Sequence, residues 1–306
     1  MIRPKGRSQR MPPKIRKKTT SFPEAIRSFV GYLEGTQKSI HTIKNYQLDI
    51  LAFQDFIYQE YSKKIISPLD IMPEDIARYR QNLQKKGFKT NTRRRKILTV
   101  SQFLGYLSKR NKVPLELAKK IPAPHKIERI PFTVPAEKLL DQIKNLPVST
   151  PIQARNRVLL WTLAETGCLV SEVTEFRFDQ WIAAQLGESG HSHPRLQIFG
   201  KFPRSIPVST ELLQAVQDLR PSQSQDPWLF QGFNKFGSLG GPISARGVEL
   251  LVKSYAPQLG YPGLTPRTFR HSVIIYWFAA GMSQKEVQTR LGLRTTYAFR
   301  SYATLI

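Results

Sequence analysis

The chain has 306 residues, 40% of them hydrophobic, and carries 47 lysines and arginines against 22 acidic residues, for a formal net charge of +25. This length predicts about two domains, each with a sizeable core, and the excess positive charge indicates a polyanionic partner. No apolar run of roughly 18 residues or more is present, which excludes a membrane-spanning helix. The single cysteine, Cys168, excludes an internal disulfide, fits a reducing compartment and is expected to be a small buried residue.

Residues 1–21 are predicted to form a disordered basic arm. Residues 1–20 contain eight lysines and arginines, three prolines and no acidic residue, a composition that does not favour folding. Such an arm can lie along a DNA backbone or remain a solvated tail. An organellar transit peptide is a third alternative, because these peptides are also rich in arginine and poor in acid.

Residues 22–112 are predicted to form a helical domain of about four helices. Apolar residues recur every three or four positions at 43–57, 74–83 and 97–107, which is the spacing of one helix face. Gly87 and the turn at Ser67 are predicted to separate the helices. A proline-rich linker, 113–135, is predicted to follow and to stay extended.

A dense positive cluster precedes the apolar stripe that begins at Ile97. This basic cluster consists of Lys85, Lys86, Lys89, Arg93, Arg94, Arg95 and Lys96, with no acidic residue inside the run. Because a helix N-terminus already carries partial positive charge, bound phosphate would relieve the repulsion there. The alternative is a solvated face. Thr42 and Lys44, in the preceding helical pattern, are weaker candidates for DNA contact.

Residues 136–306 are predicted to form a second domain. Helices are expected near 136–146, 155–165, 171–176, 210–219 and 244–255, and an apolar helix is expected to start at Thr268 and to close at Gly281. The alternation at 195–209 predicts a β-hairpin with Lys201 at its tip. Ser283 and Glu286 have the spacing of a capping box.

Several short motifs follow one another in this second domain. They are "TGCLVSEV" from Thr166, "GKFPRSIPV" from Gly200, "TPRTFRHS" from Thr265, "LGLRTT" from Leu291 and "RSYATL" from Arg300. Together with the basic helical domain and the linker, their order resembles the tyrosine recombinases, the integrase family that includes the Xer proteins. The resemblance runs from about residue 22 to the end. It implies a mainly α fold with a small β-sheet: an N-terminal helical core-binding (SAM-like) domain and an α/β tyrosine-recombinase catalytic-type domain.

Members of that family cleave DNA without a metal or other cofactor. A tyrosine attacks the scissile phosphate, which leaves a 3′-phosphotyrosyl bond and a 5′-hydroxyl. The resemblance implies Tyr302 as the nucleophile, with Tyr297 as its nearby competitor. It further implies Lys201 as the general acid on the hairpin. Arg270 matches the second arginine of the HxxR signature, His271 the histidine after it, and Glu172 the acidic residue that follows the first arginine.

Three positions depart from the family pattern. Leu169 stands where the family has its first arginine, Arg267 replaces the histidine of HxxR, and Leu293 replaces the histidine or tryptophan of the "LGH" motif. Losing one preorganised donor typically costs about 3–4 kcal/mol, or roughly 10²–10³ in rate, so cleavage is predicted to be slow or lost. Arg267 would share a helix face with Arg270, and with Arg294 it is a candidate substitute.

Two functions therefore stay open. One is a tyrosine recombinase or integrase that acts in site-specific DNA recombination or integration through Tyr302, Lys201 and Arg270. The other is an inactive relative that serves as an architectural or regulatory DNA-binding protein. An RNA-binding basic protein would explain the charge but not the ordered motifs.

The predicted partner is double-stranded DNA, on which the protein would act as a homo-oligomer or as a heteromer with another recombinase. The chain ends four residues after Tyr302, whereas many relatives continue into a helix that docks on a neighbouring subunit. This calls the usual tetramer into question. The predicted location is the cytoplasm, at the nucleoid, and no membrane partner is expected. His191 and His193 are interpreted as part of a polar loop, because no cysteine or carboxylate cluster accompanies them, so no metal site is predicted.

Overall fold

The polypeptide divides between Glu128 and Arg129 into two units. The computed structural model describes residues 20–36, 38–61, 67–110, 122–128, 130–184, 193–200, 202–220, 227–233 and 239–305. The division falls inside the proline-rich segment 113–135. The predicted basic arm lies outside the described residues except for its last two positions. Within the described part of the chain, no helix combines the length and the apolar content that crossing a bilayer requires.

The first unit contains four α-helices among its described residues. They are α1 (Phe22–Glu34), α2 (Ile40–Glu60), α3 (Pro73–Lys85) and α4 (Thr90–Ser108). The predicted helical patterns are confirmed, and Ser67 caps a short 3₁₀ turn as the turn signal indicated. Aromatic rings fill the core, where Phe53 packs edge-on against Tyr79, and Phe29 against Phe103.

The second unit is also mainly helical. Its described helices are α5 (Ala136–Lys144), α6 (Pro151–Thr166), α7 (Val170–Val173), α8 (Thr210–Asp218), α9 (Ala245–Tyr255), α10 (Pro266–Ala279) and α11 (Gln284–Leu291), followed by a 3₁₀ turn, Thr296–Tyr302. Helix α6 begins four residues before the predicted start, because Thr150 and Gln153 form a capping box around Pro151. The predicted capping box of Ser283 and Glu286 is confirmed.

Short antiparallel strands complete the second unit. Strands β1 (Trp181–Ile182), β2 (Arg195–Ile198) and β3 (Arg204–Pro207) form a sheet in that order, and β4 (Gln231–Phe233) pairs with β5 (Leu239–Pro242). The predicted hairpin is the β2–β3 pair, with Leu196 opposite Ile206. The sequence did not predict the other strands, because runs of two to four residues give too few alternations to read. The fold class, mainly α with small sheets, is as predicted.

Helix α6 is the central element of the second unit. Leu159, Leu160 and Leu163 on consecutive turns are fully buried, as expected for a helix covered on several sides. Its last turn meets α10 at Gly167, which adopts a left-handed φ of 61°. A Cβ at this glycine would lie 2.7 Å from Cγ1 of Val273. The glycine therefore both ends α6 and permits the close approach of α10.

Candidate functional site

Helix α10 places three basic side chains near one another. It begins at Pro266, where Thr265 and Thr268 cap it reciprocally, each backbone N–H donating to the other side chain at 3.2 Å. Arg267 lies exposed on the first turn. Arg270 follows one turn later with His271 beside it, and both are partly buried. The "TPRTFRHS" motif is thus the opening of a helix whose N-terminus carries the positive end of the helix dipole.

Arg270 links the ends of two other helices. Its Nη1 donates to the carbonyl oxygen of Gly167 at 2.7 Å, and its Nη2 donates to that of Leu291 at 3.0 Å. The last carbonyls of a helix have no partner within the helix, so this guanidinium satisfies the C-terminal ends of both α6 and α11. Burial lowers the pKa of Arg270, and the nearby carboxylate of Glu172 opposes that shift. These bonds use two of the five N–H groups of the guanidinium.

Arg204 on β3 was not predicted as a site residue, yet it makes the densest polar contacts in this region. Its Nη1 and Nη2 donate to the two carboxylate oxygens of Glu172 at 2.7 and 2.9 Å. Its Nε donates to the carbonyl of Arg290 at 2.7 Å, and Nη1 also to that of Phe202 at 3.2 Å. The side chain is 4% exposed. This bidentate pair fastens the hairpin to α7 and to the end of α11.

Glu172 is consequently engaged by protein groups. Besides Arg204, its Oε2 accepts from the backbone N–H of Leu169 at 2.8 Å and so caps α7. The family resemblance predicted Glu172 as a site residue but gave no partner for it. The sequence contained a signal for this partner. Arg204 follows Lys201 by three residues, so it must lie on a strand of the same hairpin.

Tyr302 and His271 are in direct contact. The hydroxyl oxygen of Tyr302 lies 2.5 Å from Nδ1 of His271, although the two residues are 31 positions apart. Tyr302 ends the 3₁₀ turn and is 4% exposed. Burial raises the pKa of Tyr302 to about 12, while the charges of Arg270 and Arg267 oppose that shift. Burial, with Arg267 and Arg270 as smaller causes, lowers the pKa of His271. Both groups are therefore neutral near pH 7.

The structure thus brings Arg270, His271 and Tyr302 together, with the charge of Arg267 close enough to act on the last two. Lys201, the predicted general acid, lies outside the described residues. Its hairpin lies against Gly292, where a Cβ would come within 2.8 Å of Nη1 of Arg204. The site is therefore assembled from the ends of α6, α10 and α11, the hairpin and the C-terminal turn.

The substituted positions present apolar groups at this site. Leu169 is 43% exposed at the start of α7, two residues from the carbonyl that receives Arg270. Leu293 is partly buried against the cluster that includes Val273 and Phe299. Neither side chain can donate a hydrogen bond.

Three further residues bear on the candidate assignments. Cys168 is buried, which raises the pKa of its thiol to about 12, in keeping with its predicted packing role. Arg294, a candidate substitute, places its guanidinium 5.3 Å from the centre of the Phe202 ring. Tyr297, the competitor of Tyr302, is 56% exposed.

The basic cluster of the first unit is partly neutralised. The run itself contains no acid, but an acid from another helix offsets it: Asp49 of α2, which is 1% exposed, binds Arg95 and Lys96 of α4. Lys96 Nζ lies 2.9 Å from Oδ1 of Asp49, and Thr99 donates to the other carboxylate oxygen at 3.3 Å. The sequence contained a signal for this buried carboxylate, since Asp49 directly precedes Ile50, a member of the apolar stripe of α2.

The remaining members of the cluster divide into two groups. Arg93 donates to the side chain of Thr90 at 3.2 Å, and Arg94 donates to the carbonyl of Pro124 at 2.7 Å. The exposed members are Lys85, Lys86 and Lys89, and no carboxylate in the described part of the chain forms a salt bridge with them.

The two candidates on α2 lie within its first two turns. Thr42 pairs its hydroxyl with that of the capping residue Ser39 at 2.8 Å. Lys44 is exposed.

Comparison with known proteins gives a consistent assignment for both units. The model of the phage integrase N-terminal SAM-like domain matches residues 26–111, and the model of the phage integrase family matches residues 135–305. The tyrosine recombinase XerC of Roseiflexus castenholzii is 24% identical over 283 residues, which cover 88% of this chain and 85% of that protein. XerC of Herpetosiphon aurantiacus is 26% identical over 283 residues, with coverages of 88% and 86%.

Solved structures share the fold. XerH site-specific recombinase bound to a palindromic difH substrate superimposes with a TM-score of 0.69 at 18% identity, over 93% of this chain and 81% of that one. A lambda integrase dimer bound to a COC′ core site gives a TM-score of 0.63 at 14% identity, over 93% and 77%.

Proposed function

Because the chain belongs to the phage integrase family, the tyrosine recombinases of site-specific DNA recombination, we propose that it binds double-stranded DNA and that Tyr302 attacks a DNA phosphate. The observation that carries this proposal is the meeting of Tyr302, His271 and Arg270 from two separate elements. A nucleophilic hydroxyl beside a hydrogen-bonded imidazole and a guanidinium is the arrangement that phosphoryl transfer requires.

The proposed step exchanges one phosphate ester for another. The hydroxyl oxygen of Tyr302 forms a bond to phosphorus, the bond from phosphorus to O5′ breaks, and a 3′-phosphotyrosyl link remains. The N–H groups of Arg270 that do not hold helix ends, together with the exposed guanidinium of Arg267, neutralise the phosphate oxygens. Lys201 protonates the departing O5′. No cofactor enters this step.

The two leucines set the expected rate. At Leu169 and Leu293 the phosphate meets no charged donor, and each missing donor lowers the rate by roughly 10²–10³, although such losses do not simply add. Tyr302 is also buried, which restricts the approach of a phosphate to its hydroxyl. We therefore propose slow cleavage, with binding much less affected.

The first unit supplies the proposed electrostatic part of binding. Its exposed lysines, Lys85, Lys86 and Lys89, lie between the last residue of α3 and the start of α4, where phosphate contacts would release counterions. Solved structures of XerH and lambda integrase, which share the fold, contain DNA, and this supports the proposal that the present chain binds DNA. The lambda integrase dimer likewise supports assembly on DNA as a homo-oligomer or with another recombinase. With DNA as the partner, the proposed location is the nucleoid in the cytoplasm.

A second candidate function is DNA binding without cleavage, as an architectural or regulatory factor. The exposed leucine at position 169 favours it, because an apolar side chain occupies the place where a phosphate-binding arginine would be expected. Both candidates predict salt-dependent binding to DNA, and only the first predicts a covalent adduct.

The test uses a library of duplexes with a randomised core, selected first for binding and then nicked so that cleavage traps the protein. The wild-type protein is expected to give a covalent band in denaturing electrophoresis. Tyr302→Phe removes the band, and Tyr297→Phe, the matched control, keeps it. Tight binding without any band supports the second function. A band that survives Tyr302→Phe but not Tyr297→Phe contradicts the assignment of the nucleophile.

A further inference from the structure

The contact between His271 and Tyr302 suggests a specific role for the imidazole. We propose that His271 is the catalytic base of this site, the group whose Nδ1 accepts the proton of Tyr302 as its oxygen attacks phosphorus. The inference rests on the proposed function. It assigns to this chain a proton acceptor that the family comparison leaves open, because Arg267 occupies the histidine position of the signature.

The surroundings of the hydroxyl leave His271 as the acceptor. A guanidinium has no lone pair to offer, which excludes Arg267 and Arg270. The carboxylate of Glu172 is occupied by Arg204 and by the backbone of Leu169. Of the described side chains, the one hydrogen-bonded to the hydroxyl of Tyr302 is His271, at 2.5 Å. That is within the distance at which general acid–base catalysis operates.

The charges around His271 keep it unprotonated before DNA arrives. Burial disfavours the imidazolium most, and Arg267 and Arg270 on the same helix act in the same direction. Tyr302, from the C-terminal turn, is neutral, since its pKa is raised to about 12. From α7, Glu172 acts on Arg270 but is itself neutralised by Arg204. The free protein therefore holds a neutral imidazole, and the proposal places its proton on Nε2, which leaves Nδ1 to accept from the hydroxyl of Tyr302.

Substrate binding changes this balance in a useful direction. A phosphate bound by Arg267 and Arg270 places negative charge near His271, and negative charge favours the imidazolium. Phosphate binding therefore raises the pKa of His271 and makes it a stronger base. In the step itself the proton moves from Oη of Tyr302 to Nδ1 of His271, the bond from Oη to phosphorus forms, and the bond from phosphorus to O5′ breaks. When the 5′-hydroxyl attacks in return, His271 gives the proton back to Tyr302.

The alternative is that the hydrogen bond only holds the tyrosine in place. His271→Asn separates the two roles, because an amide oxygen can replace Nδ1 as a hydrogen-bond acceptor but cannot take up a proton at neutral pH. The substrate is the selected nicked duplex, made with sulfur in place of the bridging O5′. A thiolate leaves without being protonated, so the rate depends on the base and not on Lys201.

The measurement is the single-turnover rate of adduct formation against pH. The wild-type rate is expected to fall at acid pH as His271 becomes protonated and to level above the pKa that His271 has in the DNA complex, which is higher than its lowered pKa in the free protein. His271→Asn is expected to lower the rate at pH 7 by about 10²–10⁴. It should also remove the acid limb, so that the rate rises with pH as Tyr302 itself ionises. His193→Asn, at an exposed histidine, is the matched control and should leave rate and profile unchanged.

The outcomes separate the two proposals. An adduct whose rate and pH profile are the same in the wild type and in His271→Asn overturns the role of His271 and leaves the proposed function standing. No adduct from the wild-type protein overturns the proposed cleavage, and the catalytic base with it. Nitrogen-15 NMR of the five histidines adds a test in the free protein. An unprotonated Nδ1 at His271, altered by Tyr302→Phe, is expected, and a proton on Nδ1 contradicts the assignment.

Discussion

The two units handle positive charge in different ways. In the first, the basic cluster is contiguous along the chain, and a buried carboxylate from another helix, Asp49, cancels part of it. In the second, the basic groups come from distant positions and are held mainly by backbone carbonyls, as Arg270 is. A carboxylate removes charge from the surface, whereas a carbonyl orients a guanidinium and leaves its charge in place. The number of basic residues in a segment therefore overstates the positive charge that is available to bind phosphate.

The same contrast exists within the second unit. Arg204 donates to both carboxylate oxygens of Glu172 and is buried, so its charge stabilises the fold and is not available to a ligand. Arg270 is bound by two neutral oxygens, so its charge can still act on an anion. Three of the four predictions below test whether this division between structural and available charge is correct, and the second tests the close packing of α6 against α10 beside Arg270.

The largest effect is expected when the buried ion pair of the second unit is broken. Glu172→Gln leaves Arg204 buried without a counter-charge, which typically costs about 3–5 kcal/mol. All four tryptophans lie in the second unit, so urea unfolding followed by tryptophan fluorescence reports on that unit alone. Glu175→Gln, at an exposed position, is the control. Equal midpoints for the two variants would mean that Arg204 is not held as described.

The second largest effect is expected at Gly167, whose carbonyl oxygen accepts from Arg270. Gly167→Ala is expected to destabilise the second unit by about 2–3 kcal/mol, because it combines a left-handed φ with an overlap against Val273. Gly281→Ala also has a positive φ, of 83°, but its Cβ would meet nothing within 4 Å, so it should cost about 1 kcal/mol. The difference between the two, measured by the same fluorescence, isolates the close approach of α6 and α10. No difference would refute that contact.

A smaller loss of stability is expected in the first unit. Asp49→Asn removes the charged partner of Arg95 and Lys96, at a cost of about 2 kcal/mol, because Arg95 remains partly solvated. Hydrogen exchange of α2 and α4 should accelerate, while the tryptophan transition of the second unit stays where it is. Asp55→Asn, on the exposed side of α2, is the control and should change stability by less than about 0.5 kcal/mol.

The smallest effect separates available charge from paired charge on DNA. Lys89→Gln is expected to reduce the slope of log Kd against log salt by up to about 0.9, the value of one phosphate contact. Arg95→Gln should change it less, because Asp49 already neutralises Arg95. The measurement is fluorescence anisotropy of a labelled duplex over a salt series. A larger change for Arg95 than for Lys89 would reverse the comparison.

Sequence periodicity went far in predicting the fold and less far in predicting the site. The helices of the first unit and the hairpin were predicted because each depends on apolar residues a few positions apart, and the order of the motifs indicated the family. Strands β4 and β5 were missed, since they are too short to show a period. The start of α6 was misplaced, because the cap at Thr150 fixed it rather than the apolar pattern.

By itself, the sequence determined which segments form helices, that the protein is strongly basic, and which family motifs it carries or has lost, since these are properties of neighbouring residues and of composition. Only the tertiary structure decided which charges are paired. Asp49 meets Lys96 across 47 positions, Glu172 meets Arg204 across 32, and His271 meets Tyr302 across 31. Such contacts depend on how elements pack, because a buried polar group selects its partner by position in space.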